Sequence, residues 1–265
     1  MADTLPPLSL YIHTPWCVRK CPYCDFNSHA QQGELPVDPY IQALIEDWRS
    51  QLPFIQGRRL HSIFIGGGTP SLFPASAYQL LFDALRQDII FEDDIEITLE
   101  ANPGTIEHDQ FAAYADVGVN RISLGAQSFQ SAQLKALGRI HDGDEIYRAV
   151  AEIRASGIAR FNLDLMHGLP GQTVELALDD LAQALSLNPT HISWYQLTLE
   201  PNTLFHAKPP TLPIEGVMAE IERKGFEVLE KAKFNRYEIS AFGKGDDRSR
   251  HNLNYWRFGD YLAIG

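Results

Sequence analysis

The chain predicts an α/β fold: an open, partial barrel of six parallel strands, (β/α)6 and TIM-like, with its helices outside. Three observations predict it. Short runs of branched and aromatic residues recur along the 265 residues, each followed by a stretch of helical periodicity. Such alternation implies parallel strands joined by right-handed crossovers. The unusual polar and cysteine residues fall at the ends of those strands, where α/β folds build their sites.

The first strand is read at Leu8 to His13, and a long cysteine-bearing loop follows it. Ile41, Leu44, Ile45, Trp48 and Leu52 share one face of a helix over 38–52, with Asp38 as its expected N-cap and Pro39 at its first position. The second strand, Leu60 to Ile65, runs into Gly66-Gly67-Gly68-Thr69-Pro70 and a helix near 75–86. Strand three covers 95–100, with a helix near 106–115; strand four covers 121–124, with helical pieces near 131–137 and 144–155. Strand five covers 161–166, then a Gly-Leu-Pro-Gly turn and a helix near 174–187. Strand six covers 191–199, followed by a proline-rich loop and a helix near 214–232, and a seventh strand is expected at 236–240. The closing GDYLAIG is an apolar run without a polar tail, so the natural protein is expected to continue past Gly265. Residues 1–240 are read as the barrel and 241–265 as the start of a C-terminal region.

Composition narrows the function. Hydrophobic residues make up 45 % and charged residues 21 %, the balance of a chain with a packed core. No apolar run reaches the roughly 18 residues of a membrane helix, and the acidic, proline-bearing start lacks the pattern of a secretory signal. The cytoplasm is the expected compartment. A net charge of −12 argues against nucleic acid as the main partner, because phosphate binding needs clustered Lys and Arg.

All three cysteines, Cys17, Cys21 and Cys24, lie within eight residues, too few and too close for a disulfide framework. They would suit zinc if His13 or His29 completed a tetrahedron. With no fourth cysteine, they better suit an iron–sulfur cubane with one iron left open for an exchangeable ligand. The glycine run lacks the Lys-Ser/Thr of a phosphate-binding loop. It is either a tight strand-to-helix turn or a stretch whose bare backbone binds a ligand. Glu100 and Asp164 end apolar strands, and a buried carboxylate needs either an internal partner or a ligand. Arg139 beside Asp164 is the internal alternative. Near the end, His251-Asn252-Leu253-Asn254-Tyr255-Trp256 reads as a loop. Its histidine is either an ordinary hydrogen-bonded side chain or, with two aromatics beside it, a heme ligand.

YIHTPWC, CPYCDF, IGGGTPS, EANPG, LGAQSF and GLPGQT together resemble the coproporphyrinogen oxidase-like group of the radical S-adenosylmethionine (SAM) superfamily, along nearly the whole chain. Within that group, CPYCDFNSH and HNLNYW resemble the heme chaperone branch and its HNxxYW motif. The resemblance implies a [4Fe–4S] cluster on Cys17, Cys21 and Cys24. It implies SAM contacts from Tyr11 and Tyr23, from Gly67, Gly68 and Thr69 at the methionyl end, and from Glu100, Gln127, Arg139 and Asp164. Thr198, at a looser match, stays outside that set. Heme would be held by His251 with Tyr255 and Trp256. The implied partners are a heme-accepting protein such as a membrane respiratory cytochrome, met in transient contact with the membrane, and an electron donor. The oxidase itself has a further cysteine where this chain has Phe26, and a longer N-terminal extension. Porphyrinogen decarboxylation is therefore the second expectation, and radical modification of RNA, disfavoured by charge, the third.

Overall fold

A computed structural model describes residues 5–104 and 110–265. The chain opens with β1 (Leu8–Thr14), the two-residue strands β2 (Trp16–Cys17) and β3 (His29–Ala30), and helix α1 (Val37–Gln51). Then come β4 (Leu60–Gly67), α2 (Ala75–Asp88), β5 (Phe91–Ala101), α3 (Phe111–Asp116), β6 (Arg121–Gln127), α4 (Ser131–Ala136) and α5 (Gly143–Ala155). The second half holds β7 (Arg160–His167), α6 (Val174–Ser186), β8 (His191–Gln196), α7 (Leu204–Ala207), α8 (Glu215–Lys231), β9 (Phe234–Arg236), β10 (Ala241–Lys244), α9 (Arg250–Trp256) and β11 (Asp260–Ile264).

The main sheet runs β11-β1-β4-β5-β6-β7-β8-β10-β9, parallel from β11 to β8 and antiparallel beyond. Among the described residues β11 and β9 are its outermost strands, an order that fits the open architecture the strand–helix alternation predicts. Strand periodicity sorts the side chains. One face carries Leu10, Ile12, Ile63, Ile65, Leu99, Leu124, Leu163 and Ile192, all buried in the core beneath the helices. The other face, inside the curve, carries Ser9, Ser62, Glu96, Thr98, Ser123, Asn162 and His191, also buried. A closed barrel of this type fills its interior with branched aliphatics. A polar interior suits a polar ligand.

The helix over 38–52 buries the expected Ile41, Leu44, Ile45 and Trp48, and each contributes roughly 1.5–3 kcal/mol by leaving water. Its N-cap is Pro36 and not Asp38, which lies in the first turn as a charge favourable to the helix dipole. The helix expected near 106–115 begins, among the described residues, at Phe111, and 105–109 lie outside them. Strand six stops at Gln196, short of Leu199.

Of the seventh strand expected at 236–240, only Arg236 lies in a strand, as the last residue of β9; 237–240 form the turn of a hairpin between β9 and β10. There Ser240 N donates to Glu238 Oε1 (3.0 Å) and the Arg236 side chain donates to Glu238 O (3.1 Å), local bonds that compete with a ladder. Within 241–265, β10 and β11 join the same sheet as the strands before them. DYLAI is the strand that pairs with β1 (Ile12 opposite Ile264), and HNLNYW forms α9, a helix and not a loop. Among the described residues no helix is long and apolar enough to cross a membrane.

Candidate cofactor site in the barrel mouth

The cysteine loop leaves β1 and is folded back by backbone bonds. His29 N donates to Pro15 O (2.7 Å) and Gln31 N to Cys17 O (2.8 Å), closing the β2–β3 pair. Lys20 Nζ donates to Phe26 O and Ser28 O, which tightens the turn holding Cys21 and Cys24. All three thiols are free and half-buried. Burial pushes the Cys17 thiol up, while Thr69 and Ser28 hydrogen bonds pull it back.

The glycine run is sewn to this loop: Gly68 N donates to Thr14 O and Thr69 N to Trp16 O, both at 2.7 Å. Gly67 has φ +112°, and a Cβ there would meet the His13 ring at 2.5 Å. Only glycine suits that position without strain. Its amide donates to Glu100 Oε2 (3.2 Å).

Between loop and glycines lies a cavity of about 420 Å³, within the size range of small-molecule sites. Cys17, Cys21, Cys24 and Tyr23 line it from the loop, and Gly67, Gly68 and Thr69 from the end of β4. Glu100, Gln127, Arg139 and Asp164 line it from successive units. Arg139 donates to Gly125 O (2.9 Å), to Asn102 Oδ1 and to Cys21 Sγ (3.6 Å). Asp164 accepts from Ser123 Oγ (2.9 Å) and Asn162 Nδ2 (2.8 Å). The internal Arg139–Asp164 ion pair is therefore not formed among the described residues. Gln127 has φ +68°, an uncommon conformation for this residue type, and accepts from Tyr195 Oη (2.8 Å).

Burial, with the Asp164 charge second, raises Glu100 to about 8; the Gly67 amide works against that shift. Burial also raises Asp164, against hydrogen bonds from Ser123, Asn162 and Ser193. Two carboxylates with costly ionised forms make a site that favours a cation.

Tyr11, expected in this pocket, lies outside its lining. Its hydroxyl meets His13 Nδ1 at 3.0 Å, and its ring stacks on Phe64. His251, Tyr255 and Trp256 are also elsewhere. The His251 ring is buried against Phe64 and edge-on to Tyr255, and its Nδ1 has no hydrogen-bond partner among the described residues. Tyr255 and Trp256 are 42 % and 52 % exposed. Asn102, Tyr195 and Thr198 line the cavity without having been assigned to it. Asn102 follows Glu100 by two residues, so strand alternation was the signal for it.

The three thiols fit a cluster better than one zinc ion. Both His13 nitrogens are engaged, Nδ1 with Tyr11 and Nε2 with Asn27 O (2.8 Å), and His29 lies exposed on β3. Three thiols on one loop match the donor set of a cubane with one iron left open, one ligand short of a tetrahedral zinc site.

Residues 11–183 match the model of the radical SAM superfamily. The chain belongs to that superfamily. As a radical SAM protein it shares 57 % identity over 265 residues with the heme chaperone HemW of Haemophilus influenzae, and 56 % over 261 residues with that of Escherichia coli. Each comparison covers 98 % of this chain and 69 % of the relative. Coproporphyrinogen III oxidase (HemN) from Escherichia coli, a radical SAM enzyme, superposes with a TM-score of 0.86 at 27 % identity. That match covers 98 % of this radical SAM chain, which spans 64 % of the oxidase. The superfamily implies SAM and a [4Fe–4S] cluster.

Proposed function

We propose that this chain belongs to a heme chaperone, which binds heme together with a SAM-ligated [4Fe–4S] cluster and passes heme to an acceptor such as a respiratory cytochrome. The observation that carries it is identity of 56–57 % over nearly the whole chain to proteins named heme chaperone. Cys17, Cys21 and Cys24 would hold the cluster. Tyr23, Gly67, Gly68, Thr69, Glu100, Gln127, Arg139 and Asp164 would hold SAM, with Tyr11 supporting them through His13. Bound there, cluster and SAM supply one-electron chemistry, given an external electron donor. The chain's own contribution is to bind and orient. Arg139 steadies the Cys21 sulfur and Asn102, and a cationic ligand would favour the ionised forms of Glu100 and Asp164, which burial disfavours in its absence.

Heme, the cargo, would be taken by His251 with Tyr255 and Trp256. Burial, with Arg121 second, lowers His251 to about 4, so the ring is neutral at pH 7, the form that ligates iron. Its unpartnered Nδ1 supports the same assignment. Around it Tyr255 packs on Tyr261 (4.9 Å between centroids), and Phe258 is 90 % exposed, an aromatic surface suited to a flat macrocycle. The protein would work in the cytoplasm, in transient contact with a membrane when the client is embedded there.

Titration of the anaerobically reconstituted protein with heme, followed at the Soret band, tests this. Saturation near one heme per chain is expected; no saturable binding overturns the reading. Coproporphyrinogen oxidation is the second reading, favoured by the likeness to the oxidase. Phe26, 58 % exposed on the cavity wall, counts against it, because the oxidase resemblance expects a thiol there. Porphyrinogen turnover by the same preparation would reinstate it.

A further inference from the structure

A continuous line of hydrogen bonds crosses the barrel interior from the cavity wall to helix α9. Asn162 Nδ2 donates to Asp164 Oδ1 (2.8 Å). Asn162 Oδ1 lies 2.7 Å from His191 Nδ1, and His191 Nε2 lies 2.7 Å from the Tyr237 hydroxyl. That hydroxyl oxygen also accepts from Ser249 N and Asn252 Nδ2, each at 3.2 Å. Ser249 is the N-cap of α9, accepting from Asn252 N (3.3 Å), and Asn252 adjoins His251.

The chemistry of the groups fixes the direction of the line. Asn162 Oδ1 can only accept, so His191 Nδ1 carries the proton. Burial keeps His191 neutral, which leaves Nε2 as an acceptor and makes Tyr237 its donor. The lone pairs of Tyr237 Oη then remain for Ser249 and Asn252. Each donor thus points toward Asp164, and a carboxylate at the head of such a chain polarises its bonds cooperatively. Other ties on α9 include Arg250 N donating to Glu96 Oε1 (2.8 Å), the Arg250–Asp94 ion pair, Asn254 Nδ2 donating to Asp260 O (2.8 Å) and the His251–Phe64 stack. A helix of seven residues rests on a small number of such ties, so each one weighs on how firmly it is docked.

We infer that His191 and Tyr237 are positioning residues that couple the Asp164 carboxylate in the cavity to the docking of α9, the helix that carries His251. The role of α9 in heme handling rests on the function proposed above; the coupling itself does not. Filling or emptying the cavity then changes how firmly His251 is held.

Amide hydrogen exchange of the reconstituted full chain tests this in wild type, Asp164→Asn, Tyr237→Phe and the double variant. Each single change is expected to speed exchange in α9 by up to about tenfold, with α6 unchanged. The double variant should exchange no faster than Tyr237→Phe alone, since the line is already cut. His191→Leu, which severs it in the middle, should match Tyr237→Phe. Wild-type rates in Asp164→Asn, additive effects, or an equal rise in α6 would each overturn the coupling. A second arm adds SAM, with its binding measured by equilibrium dialysis. Bound SAM should slow α9 exchange in wild type and not in Tyr237→Phe. Failure of SAM to bind would overturn the cavity reading instead, and the variant cycle would still decide the coupling.

Discussion

The His251 ring lies over Phe64, with centroids 4.4 Å apart and 23° between the planes. A strand at the barrel wall thereby grips a helix from the C-terminal end of the chain. Replacing His251 by alanine would remove both this stack and the proposed heme ligand. His251→Phe keeps an aromatic ring of similar size and removes only the nitrogen donors. It is expected to lower heme affinity at least about tenfold, a loss of roughly 1.4 kcal/mol, while cluster content stays at the wild-type level. Soret titration beside iron analysis reads both, and unchanged heme affinity would refute ligation by His251.

Cys21 takes a hydrogen bond from Arg139 Nη1 at 3.6 Å. Cys21→Ala leaves two thiols, too few for a cubane, and reconstitution is expected to give neither stoichiometric iron nor cluster absorbance. Arg139→Met should still incorporate iron, because the guanidinium is not a ligand. A Cys21→Ala protein with full cluster content would sink the ligand assignment.

Glu100 sets a pH dependence whose sign is determined. Its ordinary value of 4.5 is raised to about 8 by burial and then by Asp164. The folded state holds this proton more tightly than the unfolded state does. The stability so contributed is fully present below about 4.5 and is lost as pH rises through about 8. Glu100→Gln removes the titration, so its unfolding midpoint should gain on wild type between pH 6 and pH 9. A constant difference across that range would show that Glu100 does not titrate there.

Gly225 lies inside α8 and is buried, facing Trp194. Helix propensity alone favours Gly225→Ala by about 0.8–1.0 kcal/mol. A Cβ at this position would overlap the Trp194 ring, and overpacking typically costs about 1–3 kcal/mol. The steric effect is larger, so the variant should be less stable, by up to about 2 kcal/mol net. Denaturant unfolding measures it; a stabilised variant would mean that Trp194 moves aside freely.

Much of this molecule was legible in its sequence because the determinants are local. Period-two runs such as LSLYIH place alternate side chains on opposite faces whatever surrounds them, and Ile41, Leu44, Ile45 and Trp48 mark one helical face. Cysteine spacing, the glycine run and the strand-end positions of Glu100 and Asp164 marked one mouth of the barrel, and they line one cavity. Tertiary structure decided what depends on distant partners. DYLAI becomes a strand because β1 offers it an edge, and 237–240 becomes a turn because the Arg236 and Glu238 side chains bond the local backbone. Arg139 bonds Cys21 and Asn102 and not Asp164, and Tyr11 bonds His13 outside the cavity lining. His251 leaves the expected loop for a buried stack on Phe64, 187 residues earlier in the chain. Contacts across such separations carry no periodicity for a sequence to display; they exist only once the strands and helices have assembled on one sheet.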